Sequence, residues 1–170
     1  MPTLHDRSFE YLTPLQLYGI LQLRSEVFVV EQACAYLDPD GRDLESTARQ
    51  FWFEDDDGAV VATARMLDDG DVRRIGRIAT RADHRGRGLA GRLVEHFLAT
   101  TKGPWRLEAQ AHLADWYARY GFTVDGPEYI EDGIPHVPML RNLGSTRFHA
   151  FDLRRNGFGP LYDALARRGA

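Results

Sequence analysis

The sequence predicts an α+β domain: a mixed, mostly antiparallel sheet of six or seven strands flanked by helices. Three observations predict it. Strand-like segments joined by Asp- and Gly-containing turns form an antiparallel meander in the first half of the chain. Segments with helical spacing of apolar residues interrupt the strand pattern on both sides of that meander. The 170 residues are 44% apolar and 27% charged, which supplies one full core without disulfides or metal staples. The same balance excludes intrinsic disorder and collagen-like repeats. No run approaches the ~18–20 uninterrupted apolar residues of a membrane span, so no membrane partner is expected.

Ser8 to Leu12 reads as a short strand, and Thr13-Pro14 as the N-cap and first residue of a helix. Leu17, Ile20, Leu21, Leu23, Val27 and Phe28 give that helix its apolar stripe. Cys34 to Leu44 contains Asp-Pro and Asp-Gly pairs and reads as a loop. Gln50 to Glu54 and Ala59 to Met66 are strands around the turn Asp55-Asp56-Asp57-Gly58. Asp68-Asp69-Gly70 then leads into a third strand, Val72 to Thr80. A helix is predicted over Gly88 to Thr101, a strand over Trp105 to Ala111, and a short helix over Ala114 to Tyr120 stopped by Gly121. Phe122 to Pro127 and His136 to Arg141 are expected strands around an Asp132-Gly133 turn.

The domain is expected to span residues 1–141. Residues 142–170 read as a C-terminal extension: Phe148, Phe151, Phe158, Leu161, Tyr162 and Leu165 are too apolar for a solvated tail. That extension is expected to pack on the domain or on a partner chain, so homodimerisation stays open. The single cysteine, Cys34, excludes an internal disulfide, and the first residues hold no apolar signal segment. A cytoplasmic protein is expected. The net charge of −4 argues against nucleic acid as a partner.

Against that acidic balance, Arg73 to Arg92 holds seven arginines and one acid, Asp83. A strand, a turn with Gly86 and Gly88, and a helix follow one another there. That order gathers free backbone N–H groups and the positive end of a helix dipole at one point, which makes an anion site. A solvated basic turn is the plainer reading of the same residues. A Walker-type loop is absent, since no Gly-Lys-Ser/Thr occurs. The letters Gly-x-Gly-x-x-Gly do occur at Gly86, Gly88 and Gly91. The strands before them form a meander, however, and not the parallel unit a dinucleotide site requires.

Arg85-Gly-Arg-Gly-Leu-Ala90 resembles the Arg/Gln-x-x-Gly-x-Gly/Ala loop of the GNAT superfamily of N-acetyltransferases, and Trp116-Tyr-Ala-Arg-Tyr-Gly-Phe122 is similar to that family's Tyr-x-x-x-Gly-Phe motif. Leu23-Arg-Ser-Glu-Val-Phe-Val-Val-Glu-Gln32, Asp38-Pro-Asp-Gly-Arg-Asp-Leu44, Ala109-Gln-Ala-His-Leu113 and Glu131-Asp-Gly-Ile-Pro-His136 resemble its ElaA-like subgroup. The likeness covers roughly residues 10 to 141, and the tail has no counterpart in it.

The resemblance implies the GNAT fold and transfer of an acetyl group from acetyl-CoA to a small-molecule or peptide amine by direct attack, without a metal. It puts the phosphates on Arg85, Gly86, Arg87, Gly88, Leu89, Ala90 and Gly91. It lays the pantetheine arm along Ile78, Ala79 and Thr80, with the Ala79 N–H as oxyanion donor. It sets Gln110 against the cofactor and makes Tyr117 the general acid. Glu108 is carried with Tyr117 as the catalytic pair, while His112, Glu31, His136 and a water chain stay open as the base. Cys34, His112 and His136 lack metal-ligand spacing. Glu31, Glu128, Glu131 and Asp132 suit a cationic amine or form a solvated acidic surface. Two other readings stay open. One is an acyl-homoserine-lactone synthase-like enzyme, which would take an acyl carrier protein and S-adenosylmethionine. The other is a non-catalytic acyl-CoA-binding module.

Overall fold

The computed structural model describes residues 1–142. The extension expected beyond that point lies outside the described residues. In chain order the strands are β1 (Thr3–Ser8), β2 (Arg49–Glu54), β3 (Val60–Asp68), β4 (Arg73–Thr80), β5 (Trp105–Gln110), β6 (Thr123–Val124), β7 (Tyr129–Glu131) and β8 (Ile134–Arg141). The helices are α1 (Pro14–Arg24), α2 (Leu89–Thr100) and α3 (Ala114–Ala118). The strands form one sheet in the order β1-β2-β3-β4-β5-β8-β6, with β7 also paired to β8. Only the β4–β5 pairing is parallel. The α+β class and the mixed, mostly antiparallel sheet are as predicted.

Among the described residues the strand count is eight, where six or seven were expected. The strand expected over Phe122 to Pro127 is reduced to β6, and β7 is a further strand beyond its end. Pro127 offers no N–H to a ladder, so pairing stops before it. It resumes at Tyr129, whose hairpin turns through Asp132 and Gly133 at φ +50° and +79°. At the other end, the strand expected over Ser8 to Leu12 lies earlier, over Thr3–Ser8, and Phe9–Tyr11 is a 3-10 turn. The sequence Thr-Leu-His-Asp-Arg-Ser hides this edge strand because side-chain pairs hold it. His5 stacks on Trp52 at 5.0 Å, and Asp6 accepts from Arg49 at 2.7 Å and pairs with His96 at 2.8 Å.

Thr13 caps α1 as predicted, and Gln16 returns the bond to the Thr13 N–H in a capping box. The α-helix ends at Arg24, however, and Ser25–Glu31 continues as a π-helical segment. Its wider turn is closed by the Gln32 N–H donating to Val27 O, five residues back, at 3.1 Å. The sheet buries both faces, because Phe51 and Phe53 alternate with Trp52 along β2. Phe51, Phe53, Ile75 and Leu107 meet Leu93, Val94 and Phe97 of α2. Trp52, Val60 and Ala79 meet Ile20, Leu23 and Val27 on the α1 side.

The loop after α1 is held by buried charge. Arg24, 1% exposed, donates from Nε to Asp38 Oδ2 and from Nη1 to Asp43 Oδ1, both at 2.7 Å. Arg65 of β3 clasps Asp40 through two bonds of 2.7 Å and lies 3.2 Å from Asp43. The hydrogen bonds from Arg65 hold the Asp40 carboxyl well below the usual carboxylate range against the opposing pull of burial. Burial alone would raise the Asp43 carboxyl, but the Arg24 and Arg65 guanidiniums outweigh it and hold it low. Removing one partner of a buried pair strands the others in a medium that solvates them poorly. Arg24→Leu is therefore expected to cost about 3–5 kcal/mol in urea unfolding. A loss below about 1 kcal/mol, the size of an exposed pair, would show that the loop does not depend on this arginine.

Candidate active site

β4 and β5 share hydrogen bonds only at their start, where Arg73 pairs with Trp105 and Arg74 with Arg106. Beyond that point they splay, and a cleft of about 420 Å3 opens between them. A bulge in β4 decides which backbone groups face it. The register with β3 slips between Arg65↔Gly76 and Thr63↔Ala79, and Arg77 sits there at φ +53°. The hydrogen bonds on either side show its effect. The Arg73 N–H donates to Pro104 O, on the β5 side, and the Arg81 N–H donates to Val61 O of β3, each at 2.9 Å. These residues are an even number apart, so on an unbroken strand both amides would face the same neighbour.

Above the bulge the amides of Ala79 and Arg81 therefore face β3, and those of Ile78 and Thr80 face the cleft. The amide expected as oxyanion donor, that of Ala79, is thus on the β3 side of the strand. The Ala79 N–H is turned into the β3 ladder, and its side chain packs under α1. Ile78 lines the cleft, and Thr80 lines a second cavity of about 840 Å3 above it.

The residues expected to form the anion site line that second cavity. Arg85, Gly86, Arg87, Gly88, Ala90 and Gly91 line it, as does Leu89, whose side chain reaches into the core. Gly86 and Gly88 adopt φ +73° and +75°, a region open to glycine and costly to other residues. Among the described residues, no atom beyond its chain neighbours lies within 4 Å of where a Cβ on Gly88 would stand. Gly88 is the N-cap of α2 and brings no capping side chain, so the first amides of the helix have no side-chain acceptor. Gly91 serves packing, since a Cβ there would stand 2.5 Å from the Tyr120 hydroxyl. The loop arginines are held in place: Arg81 by Asp83 at 2.8 Å, Arg87 by the Asp83 carbonyl at 2.9 Å, and Arg85 by Glu31 at 2.6 Å.

Tyr117, on α3, lines the cleft between the strands. Its ring is buried edge-on between Trp116 and Phe122, with centroids at 4.7 Å and 6.3 Å. Its hydroxyl has no hydrogen-bond partner among the described residues. Burial pushes the phenol pKa well above its usual value, so the group keeps its proton through neutral pH. Glu108 and Gln110, on β5, line the same cleft. Both Glu108 oxygens are engaged, Oε1 by Arg106 and Oε2 by the Tyr129 hydroxyl, each at 3.1 Å. Gln110 donates to the Gln32 side chain at 3.3 Å, which ties β5 to the end of the π-helical segment.

The other base candidates separate in space. His136 lines the cleft; His112 lines neither cavity; Glu31 lines neither and accepts from Arg85, which lines the second. His136 Nδ1 sits 2.9 Å from Ile134 O, an atom that only accepts, so Nδ1–H donates there and Nε2 is the nitrogen that bears a lone pair in the neutral ring. Cys34 also lines the cleft, with its Sγ 3.8 Å from Asp132 O. The uncapped helix start, the two cleft-facing amides and the buried phenol fit a ligand with an anionic end and a thioester end. Sequence reading missed the bulge at Arg77 and the Asp38–Asp43 clamp, because neither a bulge nor a long-range ion pair has a local signature.

A family model for the acetyltransferase (GNAT) domain matches residues 22–143. UPF0039 protein Rv2851c of Mycobacterium tuberculosis is 52% identical over 130 residues, 74% of this chain and 83% of its own. Protein ElaA of Escherichia coli is 41% identical over 148 residues, 81% of this chain and 95% of its own. The crystal structure of E. coli ElaA superposes with a TM-score of 0.78 at 39% identity, over 84% of this chain and 100% of that one. An acyl-CoA N-acyltransferase from Pseudomonas aeruginosa gives a TM-score of 0.79 at 38% identity, with the same coverage. With the splayed strands, the glycine loop and the buried tyrosine in the positions these matches span, the chain belongs to the GNAT acetyltransferase family, in its ElaA-like branch.

Proposed function

We propose that the chain transfers an acetyl group from acetyl-CoA to the amine of a small-molecule or peptide acceptor. The observation that carries this reading is the Tyr117 hydroxyl: a buried ring delivers an unpartnered donor to the cleft where β4 turns free amides outward. The uncapped start of α2 and the Gly86–Gly91 turn hold the phosphates of the donor. The Ile78 N–H, fixed by the bulge, donates to the thioester oxygen as charge grows on it; such a preset dipole needs no reorganisation during the reaction. Tyr117 protonates the sulfur as the bond to carbon breaks. The phenol is neutral and able to donate at pH 7; burial, which raises its pKa, also makes it the weaker acid, so its proton passes only as full charge gathers on the sulfur.

The acceptor must lose a proton before or during attack, and His136 Nε2 is the proposed recipient. Glu108, expected in that role, would surrender a hydrogen bond to take the proton. Its bond to the Tyr129 hydroxyl supports a positioning role instead, because the Tyr129 ring stacks on His136 with centroids 5.9 Å apart.

Two variants test this reading. Tyr117→Phe keeps the ring and removes the hydroxyl; single-turnover acetyl transfer is expected to slow by roughly 10²–10⁴-fold with acetyl-CoA affinity nearly unchanged. The deficit should shrink at high pH, where the departing thiolate needs no proton. Full single-turnover activity would make Tyr117 a packing residue. Gly88→Val places a branched side chain where the phosphates approach. By calorimetry, acetyl-CoA affinity should fall about tenfold or more, the worth of one or two charged hydrogen bonds. The positive φ adds strain of roughly 1–2 kcal/mol, which a melting curve separates from the binding loss. Unchanged affinity in the folded variant would remove the phosphate assignment.

A further inference from the structure

We infer that Glu31 is an anionic latch on Arg85, closed between the two cavities, which an acyl-CoA opens by drawing the guanidinium onto its pyrophosphate. The inference rests on the acetyl-CoA reading above. Arg85 Nη2 donates to Glu31 Oε2 at 2.6 Å, and Arg85 Nε donates to Thr80 O at 3.0 Å. Thr80 lines the phosphate cavity, while Ile78, two residues back on the same open edge, lines the catalytic cleft. Gln32, next to Glu31, lines that cleft as well. The chain of contacts Gln32–Glu31–Arg85–Thr80 therefore crosses the boundary that a pantetheine arm must pass to join phosphates in one cavity to a thioester in the other.

The latch also covers a group that the arm needs. Thr80 O belongs to the unpaired edge of β4, and Arg85 occupies it. Arg85 is the arginine lining the phosphate cavity whose acid comes from outside the turn, 54 residues back. Arg87 is bound within the turn to the Asp83 carbonyl, and Arg81, bound to Asp83 and to Asp55, does not line that cavity. The two side chains are 43% and 45% exposed, so water screens the pair and a pyrophosphate can displace it. Glu26 adds to the negative field on Arg85. Removing the Glu31 charge should thus favour the phosphate-bound arrangement by releasing the guanidinium and by lifting a repulsion.

Calorimetric titration with coenzyme A tests this in the wild type, Glu31→Gln, Arg85→Ala and the double variant. Glu31→Gln should bind about two- to five-fold tighter, the size of an exposed ion pair. Arg85→Ala should bind more weakly than wild type, and Glu31→Gln should bring little gain in the Arg85→Ala background. Glu31→Gln binding equal to or weaker than wild type would overturn the latch, as would an undiminished gain without Arg85. Failure of the wild type to bind coenzyme A would overturn the acetyl-CoA reading and the latch with it. Binding by the wild type with no response to Glu31→Gln would overturn the latch alone.

Discussion

The carboxylate of Asp38 joins the parts of this domain that must not move relative to one another. One oxygen accepts from Arg24 of α1 at 2.7 Å; the other lies 2.8 Å from Arg77 Nε and accepts from the Tyr36 hydroxyl at 3.0 Å. Arg77 is the bulge residue of β4, held at φ +53°, with its guanidinium 5.5 Å over the Tyr36 ring. A non-glycine residue in that conformation is strained and persists where its surroundings fix it. Asp38 is such a surrounding: 1% exposed and between two guanidiniums, it has no alternative set of partners. The ion pair that ties the loop to α1 thus also sets the direction of the β4 amides.

The same bulge explains why the chemistry is proposed at the β4–β5 gap. A regular parallel pair would consume the amides of both strands in hydrogen bonds. Here the ladder stops after Arg74↔Arg106, and the bulge turns Ile78 and Thr80 outward. The gap thus offers polar backbone inside a wall of Ile75, Leu107 and Tyr117, where a dipole acts more strongly than it would in water. α2 starts above that gap because the Gly86–Gly88 turn reverses the chain within a few residues of Thr80. The two cavities are neighbours through one continuous segment, which is why a single strand–turn–helix unit is proposed to serve both ends of the donor.

Local signals made much of this legible in the sequence. The Asp55–Gly58 and Asp68–Gly70 turns fixed the meander, Thr13-Pro14 fixed the start of α1, and Gly86 and Gly88 marked the turn before α2. The ring of Tyr117 stood out beside Gly121-Phe122. What stayed hidden depends on distant partners. β1 is a polar segment whose strand character comes from Trp52, Arg49 and His96. The π-helical turn after Arg24 has an apolar stripe that an α-helix would share. An arginine at position 77 carries no sign of a left-handed conformation, so sequence reading expected the Ala79 amide in the cleft, where the fold turns the Ile78 amide instead. The aspartates of the loop read as turn formers, and only the fold brings Arg24, Arg65 and Arg77 onto them.

The most direct test of this account is a crystal structure of the chain with coenzyme A. The account places the phosphates on the amides at the start of α2, and the sulfur on the α2–α3 side of the sheet. The sulfur should lie within about 3.5 Å of the Tyr117 hydroxyl, a hydrogen-bonding distance for a thiol, with the Ile78 amide facing it. Coenzyme A seated elsewhere, or a sulfur remote from Tyr117 and nearest another donor, would contradict it.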